Sequence, residues 1–188
     1  MGTRHPDQAE LKEWKNSARG KGSVGSFSDA SAFGEVVVGA TLGVATADAV
    51  QAAGIPRFDG KVVIDATNPL EFRENAPPSL AVGFTTSAGE ELQKLLPKGR
   101  VVKAFNTIGN ARLFRPSFPG GPPDMFICGN DPSAKQAVTS ILHEFGWPSV
   151  IDTGGIEGAR ELESLCVLWV KCAMVLGNWG IGFKLLRK

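Results

Sequence analysis

The sequence has little net charge, few thiols and no long apolar run, and each shortage argues against a class of function. With 20 Lys and Arg against 19 Asp and Glu, the formal net charge is +1. No field of one sign is available to draw nucleic acid or an anionic membrane as the main partner. The basic cluster Lys184, Arg187 and Lys188 reads as a solvated chain end. Three cysteines, Cys128, Cys166 and Cys172, show no C-x-x-C spacing, which argues against a disulfide framework or a zinc site. They read as small buried hydrophobes in a reducing compartment. The longest apolar stretch, LCVLWVKCAMVLG, runs about 13 residues and contains Lys171, too short to span a bilayer. Residues 1–15 are mostly polar, unlike a secretory signal, and Pro6 stands where a myristoylation motif needs Ser or Thr. The expectation is a cytoplasmic protein.

What is present is a repeated alternation. EVVVGAT (35–41), KVVIDAT (61–67), RVVKAFN (100–106) and MFICG (125–129) are near-continuous apolar runs, the pattern of strands buried on both faces of a parallel sheet. SVGSF (23–27) and SVIDTG (149–154) are weaker strand candidates. Helical patterns fall between them: HPDQAELKEWKNSA (5–18), ATADAVQAAG (45–54), SAGEELQKLLP (87–97) with Ser87 as N-cap, and DPSAKQAVTSILHEFGW (131–147) with Asp131 as cap and Gly146 as stop. The final helix, 159–176, is apolar over too much of its circumference for one core face, so a partner surface is expected there. Strands alternating with helices predict an α/β, doubly wound, mostly parallel Rossmann-like sheet. At 188 residues the chain supports one well-buried core. The division expected is a Rossmann-like domain over 1–156 and a helical segment over 157–188. PSFPGGPPD (116–124) is read as a loop inside the domain.

GKGSVG, Gly20 to Gly25, matches the G-x-G-x-x-G fingerprint, but that motif must follow a strand and open a helix to cradle a pyrophosphate. Here it follows the polar end of a predicted helix, and a short strand rather than a helix is expected after it. It is read as a loop. No glycine-rich turn follows any other predicted strand.

The order GTRHPD, EVVVGAT, GKVVIDATNPL, SAGEELQKLLP, RVVKAFNTIGNA and FICGNDPSAK resembles the NADP-dependent oxidoreductases related to coenzyme F420-dependent NADP reductase, over essentially the whole chain. The resemblance implies hydride transfer between NADP(H) and a deazaflavin (F420) or flavin-type acceptor. It implies that Thr3 and Arg4 hold the adenosine 2′-phosphate, selecting NADP over NAD. Ala40, Thr41 and Leu42, then Asn68 and Pro69, then Asn106, Thr107 and Ile108 would line the dinucleotide and the nicotinamide at successive strand ends. The family opens with a strand, a glycine-rich turn, a helix and a second strand ending in a Ser/Thr–Arg pair. Since this sequence begins near that pair, about 30 residues of βαβ opening are expected to be missing. Tight NADP binding is then not expected, and pairing with another copy is. The alternative is a non-catalytic scaffold or binding protein that has lost the cofactor. A sugar- or amino-acid-type dehydrogenase would need a Lys or His base beside the nicotinamide.

Hydride transfer between stacked rings demands proximity and water exclusion rather than an acid, base or nucleophile, and no catalytic side chain is assigned. No metal is expected. His5 and His143 read as surface residues. Asp65 and Asp152 read as separate satisfied carboxylates rather than a pair. Lys103, interrupting RVVKAFN, either reaches a phosphate or an acidic group of a partner or snorkels from its strand. Trp147, Trp169 and Trp179 read as core or subunit contacts, with stacking on a flavin-like ring the alternative.

Overall fold

The computed structural model describes residues 1–74 and 76–186; Arg187 and Lys188 of the basic tail lie outside the described residues. In chain order the elements are α1 (Ala9–Ser17), α2 (Phe27–Phe33), β1 (Val36–Gly39), α3 (Thr46–Ala53), β2 (Val62–Asp65), β3 (Leu70–Glu71), β4 (Ser79–Leu80), α4 (Ala88–Leu95), β5 (Arg100–Lys103), β6 (Met125–Gly129), α5 (Pro132–Glu144), β7 (Val150–Asp152) and α6 (Ala159–Leu176). The five-stranded sheet has the order β1-β2-β5-β6-β7, parallel throughout except between β5 and β6. β3 and β4 form a separate antiparallel hairpin. This is the mostly parallel Rossmann-like α/β architecture expected.

The apolar runs are continuous because each strand feeds two cores. Val63, Val101 and Cys128 face one cluster with Val50, Leu92, Leu96 and Leu162 from α3, α4 and α6. Their neighbours Val62, Ile64, Val102, Met125 and Ile127 face the other, closed by Ala134, Val138 and Leu142 of α5 and by Trp147. Helices on both faces keep the central strands apolar except where Asp65 and Lys103 pair with each other.

Two expectations around GKGSVG are overturned. SVGSF does not form a strand: Gly25 makes only an isolated parallel bridge with Gly2, outside the main sheet. A helix does begin there, since α2 starts at Phe27. Its signal is a capping box that apolar periodicity does not reveal. The Ser26 hydroxyl accepts from Asp29 N at 3.1 Å while the Asp29 carboxylate accepts from Ser26 N at 2.8 Å. The glycines themselves have local reasons. Gly20 closes the turn after α1 with φ +77°, and a Cβ on Gly22 would stand 2.8 Å from the Trp14 ring.

β1 is the outer strand on one side of the sheet. Gly39 O accepts from Ala66 N in the loop after β2, so Val37 and Gly39 direct their backbone groups inward while Val36 and Val38 direct theirs away. Val36 and Val38 are 38% and 57% exposed. β1 carries no Lys, Pro or bulge, and its four residues keep the exposed edge short.

Candidate functional site

At the carboxyl ends of β2 and β5, a cleft of about 1080 Å³ opens between the strand-end loops and α6. Its polar floor is made by two asparagines. Asn68 Nδ2 donates to Asn106 O at 2.9 Å, and Asn106 Nδ2 donates to Asn68 Oδ1 and to Leu162 O, each at 2.9 Å. Asn106 is buried, and its Oδ1 accepts no hydrogen bond among the described residues. The aromatic wall is Trp169 and Trp179, ring centroids 5.7 Å apart, with Phe72 and Phe105 also on the cleft. Trp169 Nε1 donates to Ile181 O at 2.9 Å, which fixes the ring and ties down the chain beyond α6.

The local backbone is built for this shape. Phe105 holds φ +65°, a conformation that costs a non-glycine residue about 1–3 kcal/mol and tends to persist at functional sites. A Cβ on Gly109 would lie 3.2 Å from Trp179 O, so glycine eases the close approach of the chain beyond α6 to this loop. A Cβ on Gly43 would lie 1.9 Å from Asn68 O. Only glycine allows the loop after β1 to press against the loop after β2.

Behind the floor sits a charge cluster that the sequence reading did not assemble. Lys103 Nζ lies 2.6 Å from Asp65 Oδ2 and 2.9 Å from Glu163 Oε1, with all three side chains fully buried. Both readings of Lys103 are thereby corrected: it meets neither solvent nor an external group, but the protein's own carboxylates. The signal was present. Asp65 and Lys103 are register partners on adjacent strands, each interrupting an apolar run, and Glu163 falls on the buried stripe of α6 between Leu162 and Cys166. Asp152 stands apart, 2.7 Å from Lys135 Nζ. Burial pushes the Cys166 thiol, on the cleft wall, up to about 11, so it is a neutral group at physiological pH.

Of the residues singled out in the sequence, Asn68, Asn106 and Ile108 line the cleft. Pro69 and Thr107 are buried beside it, Pro69 O accepting from Ala81 N at 2.7 Å. Ala40, Thr41 and Leu42 adjoin through Gly43 without lining it; Leu42 is exposed and Thr41 Oγ1 is 3.0 Å from Thr46 Oγ1. Thr3 N donates to Gly25 O at 3.0 Å, and Arg4 borders a separate shallow depression with His5 and Gln8. Reading from sequence alone missed Arg112, Asn110 and Asn178 on the cleft. Trp147 is core, whereas Trp169 and Trp179 are cleft residues. A second cleft, at the far end of β5, is lined by groups already engaged: Glu90 pairs with Arg160, and Asp131 caps α5.

A mostly parallel sheet with helices on both faces and a cleft beyond its strands' carboxyl ends defines a Rossmann-like α/β protein. No protein-family model matches the chain. Its fold superposes with TM-score 0.93 on a candidate F420-dependent NADP reductase from Arthrobacter sp. FB24, at 35% identity over 99% of this chain and 87% of that one. F420-dependent NADP reductase of Methanocaldococcus jannaschii is 28% identical over 127 residues. That match covers 67% of this chain and 56% of the archaeal protein, so the chain spans little more than half of that curated relative. A hypothetical protein of Sinorhizobium meliloti shares the fold, with TM-score 0.70 at 24% identity. The chain belongs to the family of F420-dependent NADP reductase-related proteins.

Proposed function

We propose that this chain is an NADP(H)-linked oxidoreductase unit whose cleft brings the nicotinamide against a deazaflavin or flavin-type acceptor. The observation that carries the reading is the cleft itself: tryptophans and a hydrogen-bonded asparagine pair line one opening, at the strand ends where α/β sheets bind ligands. NADP(H), when bound, supplies or receives the hydride. Trp179, backed by the buried Trp169, offers a face against which a planar ring stacks. The buried Asn106 Oδ1 offers an acceptor for an amide N–H, and Phe105 and Ile108 keep water from the rings. The neutral Cys166 thiol has no part as a nucleophile.

In this reading Thr3 and Arg4 meet the 2′-phosphate, while Ala40 to Leu42, Pro69 and Thr107 shape the path between. One charge-assisted phosphate contact contributes about 1.5–3 kcal/mol, whereas micromolar affinity needs about 8. Arg4 alone therefore does not supply micromolar binding, and the remainder must come from the cleft. The exposed apolar stripe of α6, Leu168, Val175 and Leu176, is assigned as a subunit contact. Titration with NADPH and NADH, followed by NADPH oxidation with F420 or FMN as acceptor, tests the reading. Saturable binding that favours NADPH and weakens in Arg4→Ala supports it; equal indifference to both nucleotides sinks it and leaves a scaffold.

A further inference from the structure

We infer that Lys103 is a positioning residue, its buried ammonium holding the ends of β2 and β5 and the start of α6 in the arrangement that sets Asn68 against Asn106. Each partner of Lys103 leads directly to the cleft floor. Asp65 turns its other oxygen, Oδ1, to Thr67 N at 3.0 Å and Thr67 Oγ1 at 2.7 Å, a local turn that aims the next residue, Asn68. Glu163 accepts from Ala88 N at 3.1 Å and Gly89 N at 3.0 Å, which docks the first turn of α4 against α6. Gly89 makes that approach possible, since a Cβ there would meet Ala159 Cβ at 2.8 Å. Three residues beyond Lys103, Asn106 donates to the carbonyl of Leu162, the neighbour of Glu163. The β5–α6 joint is thus tied twice, once by charge behind the floor and once by amide on it.

Burial energy alone does not ask for this arrangement. Apolar side chains of similar volume are often as stabilising as a buried ion cluster, but they accept several packings where charge and hydrogen bonds select one. The positioning role rests on the cleft being the NADP(H) site only for its effect on affinity; its effect on geometry is independent of any ligand.

The experiment uses the full chain and its neutral counterpart, Asp65→Asn/Lys103→Met/Glu163→Gln, with Glu163→Gln alone as the milder companion in case the triple variant does not fold. Three quantities are compared: cooperativity of the melt, hydrogen exchange of the Asn106 side-chain amide by NMR, and NADPH affinity. The expected result is a retained cooperative melt, with Asn106 exchange accelerated and NADPH affinity lowered, each about tenfold, as for a binding group displaced by a fraction of an ångström. Native-like exchange in a folded variant overturns the inference. If the native chain takes up no NADPH while the exchange difference persists, the proposed function fails and the positioning role stands.

Discussion

Replacing Lys103 by methionine removes an ammonium held at 2.6 and 2.9 Å by two carboxylates and returns none of that attraction. At an effective dielectric of about 20, each contact is worth roughly 6 kcal/mol before desolvation is set against it. Most of that gain offsets the burial of the ions. Removing one partner nevertheless strands the others, at a net cost of about 3–5 kcal/mol. The stranded carboxylates keep only the donors of Thr67, Ala88 and Gly89. For a chain of 188 residues the loss amounts to roughly 6–20 °C in Tm, at about 2–4 °C per kcal/mol. Thermal unfolding at pH 7, followed by circular dichroism, reads it directly. The neutral triple variant should recover only part of the loss: it leaves no unpaired buried charge, but Glu163→Gln sets an amide donor against Ala88 N or Gly89 N. Desolvation pulls the Lys103 pKa down, but attraction to Asp65 and Glu163 prevails and holds it above the ordinary 10.5. Its contribution is therefore complete below about pH 10 and is lost only as pH rises through the folded-state value. A Lys103→Met variant within about 1 kcal/mol of native, or a triple variant no better than the single, would refute this reasoning.

Other outcomes are expected elsewhere in the molecule. Hydrogen bonds from Arg160 hold the Glu90 carboxyl below its ordinary 4.5 against partial desolvation, so that pair stabilises above this value and fades as pH falls through the folded one. Native Tm should accordingly fall more steeply in acid than that of Glu90→Gln. Trp169→Ala should cost about 3–5 kcal/mol by urea unfolding, whereas Trp169→Phe, which gives up the bond to Ile181 O, should cost about 1 kcal/mol beyond lost packing. Val38→Lys, at a half-exposed outer-strand position, should change stability by no more than about 0.5 kcal/mol while lowering light scattering on heating.

The sheet was legible because parallel strands buried on both faces leave unbroken apolar runs. Val62–Asp65, Arg100–Lys103 and Met125–Gly129 all fall inside the stretches expected. Capped helices were equally clear: Asp131 and Ser87 each accept the backbone N–H their positions imply. α2 escaped notice because its seven residues are stabilised by the Ser26–Asp29 exchange and carry almost no apolar periodicity, Phe33 standing 87% exposed. Strand-end logic picked out Asn68, Asn106 and Ile108, which line the cleft. It did not reach the wall, because Trp169 and Trp179, weighed for stacking only as an alternative, come from the far end of the chain and are brought over by α6. Asn110, Arg112 and Asn178 escaped for a different reason, since loop residues carry no periodic signal.

The distribution of tryptophans gives the molecule its own optical reporter. The chain has four tryptophans and no tyrosine, so its ultraviolet emission is almost purely indole. Trp147 is locked in the opposite core with Nε1 donating to Leu113 O at 2.9 Å, and Trp14 lies on the surface helix α1. The remaining two border the same opening. Whatever enters there changes the surroundings of half the emitting rings and leaves the others as an internal reference, so occupancy can be followed on unlabelled protein.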